Sequence, residues 1–180
     1  MSSTEDRTQQ ADPATTALRT LITGVGYRNL RDLSAGNAVV DRLETLDWPP
    51  EVEIEDLSYG PIDAIFRLRE AAFDRLVVVG ANARAGRIPG ESYRRRWHYE
   101  PEPPELVQAR VAEAVTGVIS LENLLVICAH FEALPTEVTV IEIEPEDDSW
   151  GEGFSPRVER VVENVCTHLH AQFGLTEQDP

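Results

Sequence analysis

DRLVVVGANARAGRIPG, residues 74–90, decides the fold of this chain. Leu76, Val77, Val78 and Val79 form an unbroken apolar run rich in β-branched side chains. Such a run reads as a strand covered on both faces, since a strand with one wet face alternates apolar and polar residues. Gly80 and the turn residues after it end the strand and open a loop.

The same grammar extends toward the N-terminus. PIDAIFRLREAAF (61–73) reads as a helix opened by Pro61, whose fixed φ suits a first turn. EVEIEDL (51–57) alternates as a strand. NAVVDRLETL (37–46) repeats apolar residues at Val39, Val40, Leu43 and Leu46, a helical stripe. Trp48-Pro49-Pro50 stops it, because proline has no amide hydrogen and disfavours a helical residue before it. LRTLITGVG (18–26) is a buried-type strand ending in glycines.

Toward the C-terminus, GRIPGESYRRRWHYEPEPP (86–104) is irregular, with room for a short edge strand in its middle. ELVQARVAEAV (105–115) and SLENLLVICAHFEAL (120–134) read as two helices meeting near Thr116-Gly117. EVTVIEIEP (137–145) is a further strand. Ser155-Pro156 starts the last helix, with serine suited to cap it and Gly174 to close it. Its stripe is Val158, Val161, Val162, Val165, Leu169 and Phe173. Strands alternating with helices predict an α/β fold: a three-layer α/β/α sandwich whose mostly parallel, twisted sheet of about five strands has helices on both faces. In such sheets sites gather beyond the carboxyl ends of the strands, here the loops GVGYRNLRDLSAG, DLSYG and GANARAGRIPG.

The chain has 180 residues, enough for one ordinary core. Residues 1–15 are polar and read as a disordered tail without the apolar run of a signal peptide, 16–174 as a single domain, and 175–180 as a second tail. A net charge of −16 repels nucleic acid and anionic lipid, and no apolar run is long enough to span a bilayer. Cys128 and Cys166, far apart and inside helix-like stretches, read as small buried side chains in a reducing, cytoplasmic setting.

Motifs with a defined chemistry are few. The GVG turn has Asn29 where a dinucleotide-binding pattern needs glycine, and neither a GxSxG elbow nor an HExxH helix occurs. Ser34 and Ser58 lie in candidate loops without an evident histidine partner. His168 and His170 lie on different faces of the last helix, and His130 follows an apolar helical run. His98 is the histidine nearest a candidate loop. Arg94, Arg95 and Arg96 form a basic cluster, readable either as a solvated edge or as a grip for a carboxylate or acidic peptide. The acidic runs EPEPPE and EPEDD read as solvated loops, and Tyr27, Arg28 and Asn29 leave room for a small-molecule site.

Taken together, these segments resemble the hydrogenase maturation proteases, over roughly residues 18–173. LITGVGYRNLRDLSAGNAVVDRL is similar to the family's opening strand, glycine turn and acidic loop, with Tyr27 at an asparagine position and Asp32-Leu33 at an acidic pair. DRLVVVGANARAGRIPG resembles the strand that ends in an aspartate, here Gly80. TGVISLENLL resembles the step where a histidine opens a helix, here Gly117. EVTVIEIEPEDDSWGEGFSPRVERVVENV resembles the closing strand, tryptophan-glycine turn and last helix.

The resemblance implies an enzyme that trims the C-terminal peptide of a nickel–iron hydrogenase large subunit, reading nickel held by that substrate through two carboxylates and an imidazole. The side chains of Leu33, Gly80 and Gly117 have no lone pair to offer a cation. The expectation is therefore a non-catalytic binding or assembly factor with no cofactor of its own and no nameable catalytic residue, its partner the large subunit or its precursor. The alternative is an active, diverged endopeptidase with a rebuilt site. Asp32, Leu33, Asp56, Gly80, Asn82, His98 and Gly117 mark the candidate binding loops. Asp32, Asp56, Glu122 and His98 are the candidate replacements for a metal ligand.

Overall fold

In the computed structural model residues 17–114 and 120–175 are described. The tail 1–15, the tail beyond Leu175, the junction at Thr116-Gly117 and the candidate position Gly117 lie outside them.

Five strands make one sheet in the order β2-β1-β3-β5-β4: β1 Thr20–Val25, β2 Val52–Asp56, β3 Arg75–Ala81, β4 Ser92–Arg96 and β5 Glu137–Ile143. All neighbours are parallel except β4 on β5. The expected edge strand in the arginine-rich stretch is thus real, and it is the one antiparallel element. The helices are α1 Ala35–Leu43, α2 Pro61–Ala71, α3 Pro104–Ala114, α4 Leu121–His130 and α5 Pro156–Phe173.

The apolar run of β3 explains the layering. Leu76 and Val78 point to one core, with Leu21, Val138 and Val140 of the neighbouring strands and with Ala64, Ile65, Leu68, Leu124 and Leu125 of α2 and α4. Val77 and Val79 point to the other, with Ile22, Ile141 and Ile143 and with Val39, Leu43, Val158, Val162 and Leu169 of α1 and α5. A strand covered on both faces needs apolar residues at every position. Full burial of each such side chain contributes about 1.5–3 kcal/mol.

Three local expectations are corrected. Helix α1 begins at Ala35 and stops at Leu43, short of Leu46; the indole Nε1 of Trp48 donates to the Leu43 carbonyl at 2.8 Å and satisfies the helix end there. Ser155 occupies the N-cap of α5 without capping through its side chain, because its hydroxyl is committed to Asp32. The EPEDD run is not simply solvated: Glu144 is buried and accepts from the Arg84 amide.

Candidate functional site

The chain leaves β1 to build β2 on one side, then returns to build β3 on the other. Such a reversal opens a crevice at the carboxyl ends of the two central strands. Val25 of β1 and Gly80 of β3 are register partners at this point. Helix α1 starts directly above it, and Gly36 permits the approach: a Cβ there would lie 2.3 Å from the Val25 carbonyl oxygen and 2.6 Å from that of Val79.

The loop between β1 and α1 is tied to the loop after β5. A 3-10 turn, Arg31–Ser34, carries Asp32, whose side chain is fully buried. Asp32 accepts from the amides of Glu146 at 2.9 Å, Asp147 at 2.8 Å and Ser155 at 2.8 Å, and from the Ser155 hydroxyl at 2.7 Å. Backbone bonds add to the seam: Gly151 N donates to Asn29 O, Arg31 N to Gly151 O, and Asp32 N to Asp147 O. Both oxygens of Asp32 are therefore spent on joining the loop after β1 to the loop after β5. Leu33, next in sequence, is half-buried, and its carbonyl accepts from Tyr27 N.

Gly80 is buried, and the space its side chain would need is filled. A Cβ there would lie 2.9 Å from Leu121 Cδ1 and 2.9 Å from the Val25 carbonyl oxygen. Leu121 opens α4 and is buried in the core that α2 and α4 cover.

Asp56, at the end of β2, is held by Asn37 Nδ2 at 2.8 Å, the Ser58 amide at 2.8 Å and Arg28 Nη2 at 3.1 Å. Burial alone raises its carboxyl; hydrogen bonds from Ser58, Asn37 and Arg28 outweigh that and hold it below the usual range. Arg28 also grips Asp41 through two bonds of 2.9 Å. Arg28, Asn37 and Asp41 line a small cavity of about 250 Å³ with Ser34 and Phe154.

One carboxylate in this region escaped the sequence reading. Glu142 of β5 is the register partner of Gly80, and its side chain is completely buried. It accepts from Arg84 Nη2 at 2.6 Å, Arg87 Nη2 at 2.7 Å and Asn82 Nδ2 at 2.8 Å, with Arg95 Nη2 at 3.5 Å. Burial raises its carboxyl, but the bonds from Arg84, Asn82 and Arg87 reverse this and hold it at about 2. The signal was its phase: Glu142 stands two residues beyond Val140 and four beyond Val138, on the face those valines bury.

Beside this cluster, Glu122 of α4 accepts from Arg95 Nη2 at 3.1 Å and from the Trp97 indole at 3.2 Å. A cavity of about 430 Å³ opens here, lined by Arg84, Arg95, Trp97, His98 and Glu122 among others. Asn82, Glu122 and the exposed His98 are thus brought to one region, Asp56 to another beneath Arg28, and Asp32 to the seam. Among the described residues no group of three or more His, Cys, Asp and Glu side chains is placed to hold a metal ion.

No family model matches the chain, and no curated protein matches it by sequence. Solved structures do. The hydrogenase maturating endopeptidase HybD from E. coli superposes with a TM-score of 0.64 at 23% identity, covering 86% of this chain and 91% of that one. The chain carries the fold of the hydrogenase maturation proteases. A hydrogenase 2 maturation peptidase from a Thaumarchaeota archaeon gives a TM-score of 0.59 at 24% identity, covering 86% of this chain and 97% of its own. The [NiFe] hydrogenase maturation protease HycI from Thermococcus kodakarensis gives 0.59 at 18%, covering 87% and 93%. In this hydrogenase maturation protease fold, the crevice beside Gly80 holds a leucine and an arginine-bound glutamate.

Proposed function

We propose that this protein is a diverged relative of the hydrogenase maturation proteases, acting in nickel–iron hydrogenase large-subunit maturation as a non-catalytic binding or assembly factor. One observation carries the reading. At the central crevice the position beside Val25 is Gly80, with Leu121 packed into its side-chain space. The carboxylate one strand over, Glu142, is already bound by Arg84 and Arg87. A carboxylate held near 2 by guanidinium groups is a poor ligand for a cation, since binding one must displace those partners. Asp32 and Asp56 are likewise committed to donors within the protein.

The reading makes residues 16–174 the working unit and the cytoplasm its setting. Two free, buried cysteines agree with a reducing compartment. No helix among the described residues is long and apolar enough to cross a membrane.

The test pairs two measurements on one mixture. Purified protein is combined with a nickel-loaded large-subunit precursor, and both co-elution and the mass of the precursor are followed. A stable complex with the C-terminal peptide still attached is expected. Nickel-dependent removal of that peptide would overturn the reading in favour of an active, rebuilt peptidase; failure to associate would remove the partner.

A further inference from the structure

We infer that the free edge of β4, with the flank of α5 beside it, binds an acidic, extended polypeptide segment as an added strand. The inference is independent of the maturation reading above.

The backbone makes the first half of the case. β4 is the last strand of the sheet. Its ladder with β5 is phased by two bonds, from Glu144 N to Glu91 O and from Trp97 N to Val138 O. In an antiparallel pair, alternate residues exchange both hydrogen bonds with the partner strand. Residues 91, 93, 95 and 97 therefore face β5, and the amides and carbonyls of Ser92, Arg94 and Arg96 point away from the sheet. This is the row of donors and acceptors that strand addition uses.

Charge makes the second half. Side chains two apart on a strand share a face, so Ser92, Arg94 and Arg96 stand together, all exposed. Arg94 Nη1 meets Gln172 Oε1 at 2.8 Å and His168 Nε2 at 3.2 Å, which places α5 on that face. On α5, Arg157 and Arg160 line a groove of about 420 Å³ with Gly90 and Asn164. Arg94, Arg96, Arg157 and Arg160 make no ion pair with a carboxylate among the described residues, whereas Arg84, Arg87 and Arg95 each do. Glu91, at the same groove, accepts from the Tyr93 hydroxyl. A set of guanidinium groups without carboxylate partners is a favourable place for added carboxylates in a chain of net charge −16. It selects carboxylates at alternate positions of an extended chain, which would fall beside Arg94 and Arg96.

The same charge argues against a second copy as occupant. Two β4 edges pairing with each other would bring arginines 94 and 96 of both chains together, and like charges directly opposite destabilise a pair.

The experiment titrates the ¹⁵N-labelled full chain at low salt with an acetylated, amidated peptide of alternating Glu and Thr, and with its Gln-for-Glu analogue. The amide signals of Ser92, Arg94 and Arg96 should shift, and the Gln analogue should bind about tenfold more weakly. Ser92→Pro removes an outward amide and keeps every arginine; proline is tolerated at such edge positions. Arg94→Gln with Arg96→Gln removes the charge and keeps the amides. Each change should weaken binding roughly fivefold, with an unchanged circular dichroism spectrum. Equal binding of the Gln analogue, or full binding by Ser92→Pro, overturns the inference, the latter by reducing it to charge attraction alone. A dimer that Ser92→Pro dissolves overturns it as well, because a second copy would then hold the edge.

Discussion

Leu121 stands where a side chain on Gly80 would have to go: a Cβ at residue 80 would lie 2.9 Å from Leu121 Cδ1, closer than real contacts allow. The two positions therefore depend on each other, and placing a carboxylate at residue 80 is not a local change. Gly80→Asp is expected to destabilise the protein by about 1–3 kcal/mol through overpacking. Leu121→Ala alone should cost about 2–5 kcal/mol, the cost of a cavity. Their combination should cost less than the sum by at least about 1 kcal/mol, because each relieves the other. Urea denaturation of the four proteins in the cycle checks this, and strict additivity would show that the contact does not matter.

Asp32 predicts a different kind of failure. Its carboxylate accepts three amides and a hydroxyl at a site closed to water. Asp32→Ala leaves those donors unpaired, so a loss of roughly 3–5 kcal/mol is expected. Ser155→Ala removes only the hydroxyl bond and should cost about 1–2 kcal/mol. Amide hydrogen exchange should show the damage of Asp32→Ala concentrated at residues 146, 147 and 155.

The alternation of strands and helices was legible because both kinds of hydrophobic period survive in the chain, from the valine run of β3 to the six-residue stripe of α5. The arginine-rich stretch, which has no such period, showed only room for a short edge strand, and β4 fills it. What the sequence concealed was polar pairing across distance. Ser155 next to Pro156 looks like an ordinary helix cap, and nothing nearby in the chain reveals that Asp32 claims its hydroxyl. Glu142 looks like the wet half of an alternating strand until its phase with Val138 and Val140 is noticed. That the side chains of Leu33 and Gly80 have no lone pair to offer was visible in the residue letters; that Leu121 occupies the space beside Gly80 was not.

Glu142 gives a pH signature. Its carboxyl is lowered from an ordinary 4.5 to about 2 in the folded state. A depressed acid contributes its stability in full above the unfolded value and loses it as pH falls through the folded one. Wild type should exceed Glu142→Gln by on the order of 3 kcal/mol at pH 7. That gap should begin to shrink below about pH 4.5 and be largely gone near pH 2. Urea midpoints across this range measure it; a gap independent of pH would remove Glu142 as its source.

The two thiols should be silent. Burial pushes Cys128 up to about 12 and Cys166 up to about 11, so neither carries thiolate at neutral pH. Both should resist a maleimide or aromatic disulfide reagent in the native protein and react fully in urea. Rapid native labelling of either would contradict its packing beneath α4 or α5.

The Asp32 seam also has a consequence in time. Its partners Glu146, Asp147 and Ser155 follow it by 114, 115 and 123 residues. A chain emerging from the ribosome can lay down β1 and the turn after it early, yet that aspartate waits for its partners until Ser155 has been made. The crevice mouth consequently closes only after all five strands of the sheet have been made. Chains cut short before Ser155 would lack the amide and the hydroxyl that complete this seam.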